Sequence, residues 1–99
     1  MEDISVQELK DRLNKGEQIA IIDVREPYEY EEYNIGARLI PLGNLKDELP
    51  QLTAFKSQEL IVHCKSGNRS AAAKVFLEQN GFQFVRSLTG GMVAYQALN

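Results

Sequence analysis

One stretch of this 99-residue chain gathers the groups able to do covalent chemistry: His63-Cys64-Lys65-Ser66-Gly67-Asn68-Arg69-Ser70. Cys64 is the sole cysteine. Its thiolate, not its thiol, would be the nucleophile, so reactivity depends on surroundings that favour the charged form. An apolar run ends at His63 and a helical pattern starts near Arg69, which leaves the six residues Cys64 to Arg69 to make the turn. Gly67 reaches backbone conformations that other residues avoid, and Asn68 tolerates them, so successive N–H groups can point inward as an anion-binding nest. The helix start adds unpaired N–H groups and partial positive charge. Lys65 and Arg69 add cations, Arg69 as a planar fork of donors. These surroundings are expected to lower the pKa of Cys64 and to hold an anionic substrate in the same cradle.

Each residue also has a plainer reading. Most free cysteines are small buried hydrophobes, but the company of Gly67, Arg69 and a strand-to-helix turn favours a reactive Cys64. Lys65 and Ser66 read equally well as ordinary loop residues. Ser70 can donate to the thiolate or simply occupy the first helical turn. His63 neighbours Cys64, yet adjacent side chains in a strand point to opposite faces, so His63 reads as a packed strand residue. Tyr28, Tyr30 and Tyr33 fall at helical spacing and read as packing residues.

The elements that must position this loop follow from pattern. Ser5 to Lys15 reads as a helix, with Ser5 as cap, Glu8 as capping-box partner and Gly16 as stop. Ile19 to Val24 is an apolar run of the kind found in a strand covered on both faces. Pro27 suits the first turn of a short helix, Tyr28 to Tyr33. Ala37 to Ile40 reads as a short strand and Leu45 to Leu52 as irregular or weakly helical. Leu60 to His63 is a buried strand, Arg69 to Gln79 a helix stopped by Asn80-Gly81, Phe84 to Leu88 a last strand and Met92 to Leu98 a last helix. Strands alternating with helices predict an α/β fold: a small, mostly parallel central sheet of four to five strands with helices on both faces. Ligands of such sheets sit beyond the carboxyl ends of the strands, where Asp23-Val24-Arg25-Glu26 and the Cys64 loop both fall.

Composition narrows the function classes. The length predicts one domain spanning residues 1–99. Apolar residues make up 43% and charged residues 25%, a globular balance. The net charge of −3 argues against nucleic acid as a partner, because phosphate binding needs a basic face. One cysteine and one histidine do not make the usual four-ligand zinc site, and no metal is expected. A single cysteine fits a reducing compartment, and the acidic start without an apolar run predicts a cytoplasmic protein with no membrane partner.

These residues resemble the rhodanese homology domain in its single-domain sulfurtransferase form. Four patches carry the resemblance: Ile22-Asp23-Val24-Arg25-Glu26 with Glu29, Ile35-Gly36-Ala37 with Ile40-Pro41, the loop Cys64 to Ser70, and Leu88-Thr89-Gly90-Gly91-Met92. Any one is weak; all four in order are specific. The resemblance implies a double displacement without metal or organic cofactor. Cys64 would take the outer sulfur of thiosulfate or a similar small anionic donor as a persulfide. A thiophilic acceptor, such as cyanide or a thiol, would then remove it; a thiol-bearing protein is a further candidate partner. It also implies that Asp23 and Arg25 support the loop region. Arg69 is expected to face the loop mouth and hold the donor. Two positions depart from the family pattern, Asn34 where histidine is common and Tyr95 where tryptophan is common.

Three rival readings remain. Cysteine phosphatases and arsenate reductases usually have one residue more between Cys and Arg than the four here, and phosphate-ester cleavage wants a general acid. A non-catalytic interaction module would usually have lost the cysteine. A persulfide carrier in a sulfur relay would use the same residues as an enzyme.

Overall fold

The computed structural model describes residues 1–98. Ser5 caps helix α1 (Val6–Asn14), its hydroxyl accepting from the Glu8 amide at 3.1 Å. Glu8 does not return a capping-box bond; its carboxylate meets Arg86 at 2.7 and 3.0 Å instead. Strand β1 is Ile21–Asp23, shorter than the apolar run, and α2 is Pro27–Glu32 with proline in its first turn. Strand β2 (Arg38–Leu39) is followed by a short helix α3 (Leu45–Glu48) between 3-10 turns at Leu42–Asn44 and Leu49–Phe55. Then come β3 (Glu59–His63), α4 (Asn68–Gln79), β4 (Phe84–Ser87) and α5 (Gly91–Gln96).

All four strands run parallel in the order β2-β1-β3-β4. Ile4 adds an isolated bridge to Leu88, just past β4. Alternation along the central strands feeds two cores. Ile22, Val24, Leu60 and Val62 face Leu45 of α3 and Ala73 and Leu77 of α4. Ile61 and Ile21 face Leu9 of α1 and Met92 and Tyr95 of α5. Burial on both faces is why β1 and β3 read as unbroken apolar runs. The same register sets Asp23 directly beside His63 at the carboxyl ends of β1 and β3.

Candidate active site

The loop between β3 and α4 is tighter than the sequence suggests. Only Gly67 takes a left-handed conformation, at φ 109°, and it caps α4 directly. Asn68 is not part of the turn; it is the first helical residue. Within this turn Cys64 Sγ accepts from the Gly67 amide at 3.1 Å and the Ser70 amide at 3.3 Å. The Ser70 hydroxyl lies 3.6 Å away.

Cys64 is only 1% exposed and touches the first core, so the sulfur lies at the floor of the loop. Burial by itself would push the thiol's pKa up. The Ser70 hydroxyl and the amides of Ser70, Gly67 and Ser66 outweigh burial and hold it below its ordinary value. The leading causes are therefore oriented donors rather than the cation Lys65, which the sequence placed among them. Ser70 Oγ is itself held by Ser87 Oγ at 2.7 Å. Ser70 Oγ also donates to the Gly67 carbonyl at 3.1 Å, so Ser87 and Gly67 together fix the hydroxyl beside the sulfur.

Helix α5 fixes the other side of the loop. The Met92 amide donates to the Cys64 carbonyl at 2.9 Å, and the Val93 amide to the Lys65 carbonyl at 3.0 Å. With the Lys65 carbonyl drawn toward the start of α5, the Ser66 amide of the same peptide is among the groups that favour the thiolate. Gly91 permits the approach: a Cβ there would lie 2.5 Å from each of these carbonyl oxygens.

Asp23 and Arg25 form a buried unit. Arg25 Nη2 meets Asp23 Oδ2 at 2.8 Å, and Arg25 Nε lies 3.0 and 3.1 Å from the two carboxylate oxygens. The guanidinium also donates to the Tyr33 carbonyl at 2.7 Å and the Glu29 carbonyl at 3.3 Å. These contacts hold α2 against the sheet and so place Glu29. Both oxygens of Glu29 meet the Arg69 fork, at 2.6 and 2.9 Å. The sequence expected Arg69 to face the mouth and hold the donor; its Nη atoms are both engaged by Glu29, which lines the cleft beside the loop. The Arg69 pair comes first among the causes that bring Glu29 down to about 2, and the Glu26 amide assists at 2.9 Å.

His63 points away from Cys64, as strand alternation predicts, and is fully buried. Neither ring nitrogen has a hydrogen-bond partner among the described residues. Nε2 lies 3.7 Å from Asp23 Oδ2. Desolvation dominates that carboxylate's attraction and brings the imidazole down to about 4.

A cleft of about 260 Å³ adjoins the loop, lined by Tyr28, Glu29, Glu32, Tyr33, Lys65 and Val93 among others. Tyr28 and Tyr33, read from sequence as packing residues, are exposed here, because α2 turns that edge outward. Tyr30 does pack, and its hydroxyl donates to the Ala37 carbonyl at 2.9 Å. Asn34 closes a local turn, bonded to the Tyr30 carbonyl and the Gly36 amide, and Tyr95 packs in the second core. Lys65, Ser66 and Asn68 are exposed at the rim.

Sequence reasoning missed Glu29, Ser87 and Gly91 as parts of this arrangement. Glu29 and Gly91 stood within the resembling patches, but Arg69 lies 40 positions from Glu29, and the Cys64 loop that Gly91 meets is likewise far from it in the chain. Ser87 carried no local signal.

A parallel α/β sheet with an amide-ringed cysteine beyond its third strand defines a class, and comparison with known proteins supplies its family. The chain belongs to the rhodanese-like domain family, whose model matches residues 5–98. It is 39% identical over 95 residues to the probable adenylyltransferase/sulfurtransferase MoeZ of Mycobacterium tuberculosis, covering 93% of this chain but 24% of that protein. It is 32% identical to the putative sulfurtransferase YtwF of Bacillus subtilis, covering 97% of this chain and 91% of that protein. The crystal structure of a rhodanese-related protein from Thermoplasma volcanium superposes with a TM-score of 0.83 at 29% identity, covering 97% and 91% of the two chains.

Proposed function

We propose that the chain moves a sulfane sulfur through a persulfide on Cys64, taking it from thiosulfate or a similar donor and giving it to a thiophilic acceptor. The observation that carries this reading is the ring of donors on Cys64 Sγ, the Gly67 and Ser70 amides at 3.1 and 3.3 Å. In the first half the thiolate attacks the outer sulfur of thiosulfate; Cys64–S⁻ and S–SO₃²⁻ become Cys64–S–S⁻ and SO₃²⁻. In the second, cyanide takes that sulfur as thiocyanate and the Cys64 thiolate returns. This is covalent catalysis in two displacements, and the loop donors that stabilise the thiolate also suit the persulfide anion. The likeness to YtwF, a protein of similar length named as a sulfurtransferase, supports it.

The test is mass spectrometry after thiosulfate treatment, beside a cyanide-coupled assay and a phosphatase assay. One sulfur atom should appear on Cys64 and none on Cys64→Ser. An unmodified protein that hydrolyses phosphate esters would favour the rival reading; the short loop between Cys64 and Arg69 argues against it. A second reading, a carrier that passes its persulfide to a partner protein, is favoured by the likeness to the putative sulfur carrier protein YrkF of Bacillus subtilis, 34% identical over 91 residues and covering 91% of this chain and 48% of that protein. It uses the same chemistry, and transfer to a protein thiol rather than to cyanide would distinguish it.

A further inference from the structure

The cation best placed to gather an anionic donor is already occupied. Both Nη atoms of Arg69 are engaged by the two oxygens of Glu29, at 2.6 and 2.9 Å, the bidentate geometry an incoming oxyanion would otherwise use. Glu29 is not a loose surface carboxylate. It is buried, its Oε1 accepts from the Glu26 amide at 2.9 Å, and Arg25 grips its carbonyl. Around the loop the charges balance. Arg25 is met by Asp23, Arg69 by Glu29, and Lys65, with no ion pair among the described residues, shares the cleft with Glu32. The side chains there leave no net positive charge to concentrate a dianion. The cleft beside the loop instead offers Tyr28, Tyr33 and Val93, exposed surface suited to an organic group that thiosulfate lacks.

We propose that Glu29 is a specificity-determining residue: by filling the Arg69 fork it biases the Cys64 loop toward alkyl persulfide donors, R–S–SH, over the thiosulfate dianion. The inference rests on the persulfide reading above. With an alkyl persulfide, Cys64–S⁻ and R–S–SH become Cys64–S–SH and R–S⁻. The donor's S–S bond breaks, a new S–S bond forms, the thiolate leaves with the electron pair, and nothing is oxidised overall. That encounter assembles one negative charge through the protonated R–S–SH, the thiolate's own, and two where the acidic persulfide has ionised to R–S–S⁻. The thiosulfate encounter assembles three beside the Glu29 carboxylate.

The experiment measures the single-turnover rate of Cys64 persulfide formation, by rapid quench and mass spectrometry. The donors are thiosulfate and the persulfide of 2-mercaptoethanol. Glu29→Gln keeps the shape and removes the charge, so the thiosulfate-to-persulfide rate ratio should rise roughly ten-fold. A purely structural role for Glu29 would move both rates together and leave the ratio unchanged; that result, or a fall in the ratio, overturns the proposal. The wild-type protein gives a test that does not depend on the variant folding. Across a charge-balanced mouth, the thiosulfate rate should change less than about two-fold between low and roughly 0.5 M salt. A steep fall with salt would reveal a net positive site and defeat the inference while leaving persulfide chemistry intact. Absence of a Cys64 persulfide with both donors would instead remove the sulfur-transfer reading, and this inference with it.

Discussion

Gly91 sits beneath the Cys64 carbonyl so closely that a Cβ built on it would lie 2.5 Å from that oxygen. The start of α5 and the end of β3 are thereby pressed together, and the peptides of the Cys64 loop take their orientation from the contact. Gly91 also has a positive φ of 58°, so a side chain there meets backbone strain as well as a clash with backbone.

Gly91→Ala should therefore lower stability by about 2–4 kcal/mol and slow sulfur transfer at least roughly ten-fold, since the amides at Cys64 move with the carbonyls. Thermal unfolding and a single-turnover sulfur assay check this. A variant with wild-type Tm and rate would show that the contact does not shape the loop.

Ser70→Ala removes the hydroxyl 3.6 Å from Cys64 Sγ and leaves Ser87 without its 2.7 Å partner. The thiol pKa should rise, because a donor to the charged form is lost. Alkylation by iodoacetamide at neutral pH should slow about three- to ten-fold, with its pH midpoint moved upward, and stability should fall by about 1 kcal/mol. An unmoved midpoint would leave the amides as the only donors of consequence.

Arg25→Ala strips the buried Asp23 of its partner and releases the Glu29 and Tyr33 carbonyls. Breaking a buried ion pair from one side costs about 3–5 kcal/mol. Urea unfolding should register a loss of that order, with loss of the Arg69–Glu29 pairing. A loss within 1 kcal/mol of nothing would mean that water enters and replaces the guanidinium.

His63 and Glu29 give the protein two acid-side transitions. His63 is held neutral in the fold with its pKa lowered from 6.5 to about 4, so the unfolded chain binds more protons between those values. Its contribution falls as pH drops from about 6.5 to 4. Glu29 is depressed from 4.5 to about 2, so its contribution is present above 4.5 and is lost as pH falls toward 2. Stability measured by denaturant from pH 7 to pH 3 should decline from about 6.5 downward, and His63→Gln should flatten the upper part of that slope. The same slope in both proteins would place the responsible group elsewhere.

Local pattern carried much of this in advance. The strand-to-helix turn with Cys64 at its start, the parallel α/β sheet and the turning of His63 away from Cys64 follow from periodicity and a few punctuating residues. Element ends were less legible. The apolar run Ile19–Val24 narrows to Ile21–Asp23, because those residues pair with β3, and Ile22 and Asp23 with β2 as well. Asn68 is suited to a left-handed turn, yet the structure needs only Gly67 there and gives Asn68 to the helix.

By itself the sequence determined the chemistry on offer: one cysteine at a glycine-bearing turn, beyond a buried strand, with an arginine at the helix start. These are local matters of backbone freedom and alternation, readable residue by residue. Only the tertiary structure decided where the charges went. Whether Arg69 meets a substrate or Glu29, whether Ser70 leans on Ser87, and whether Gly91 lets α5 reach the Cys64 carbonyl depend on residues far apart in the chain. Side chains pair according to how helices pack on the sheet, and no local spacing encodes that distance.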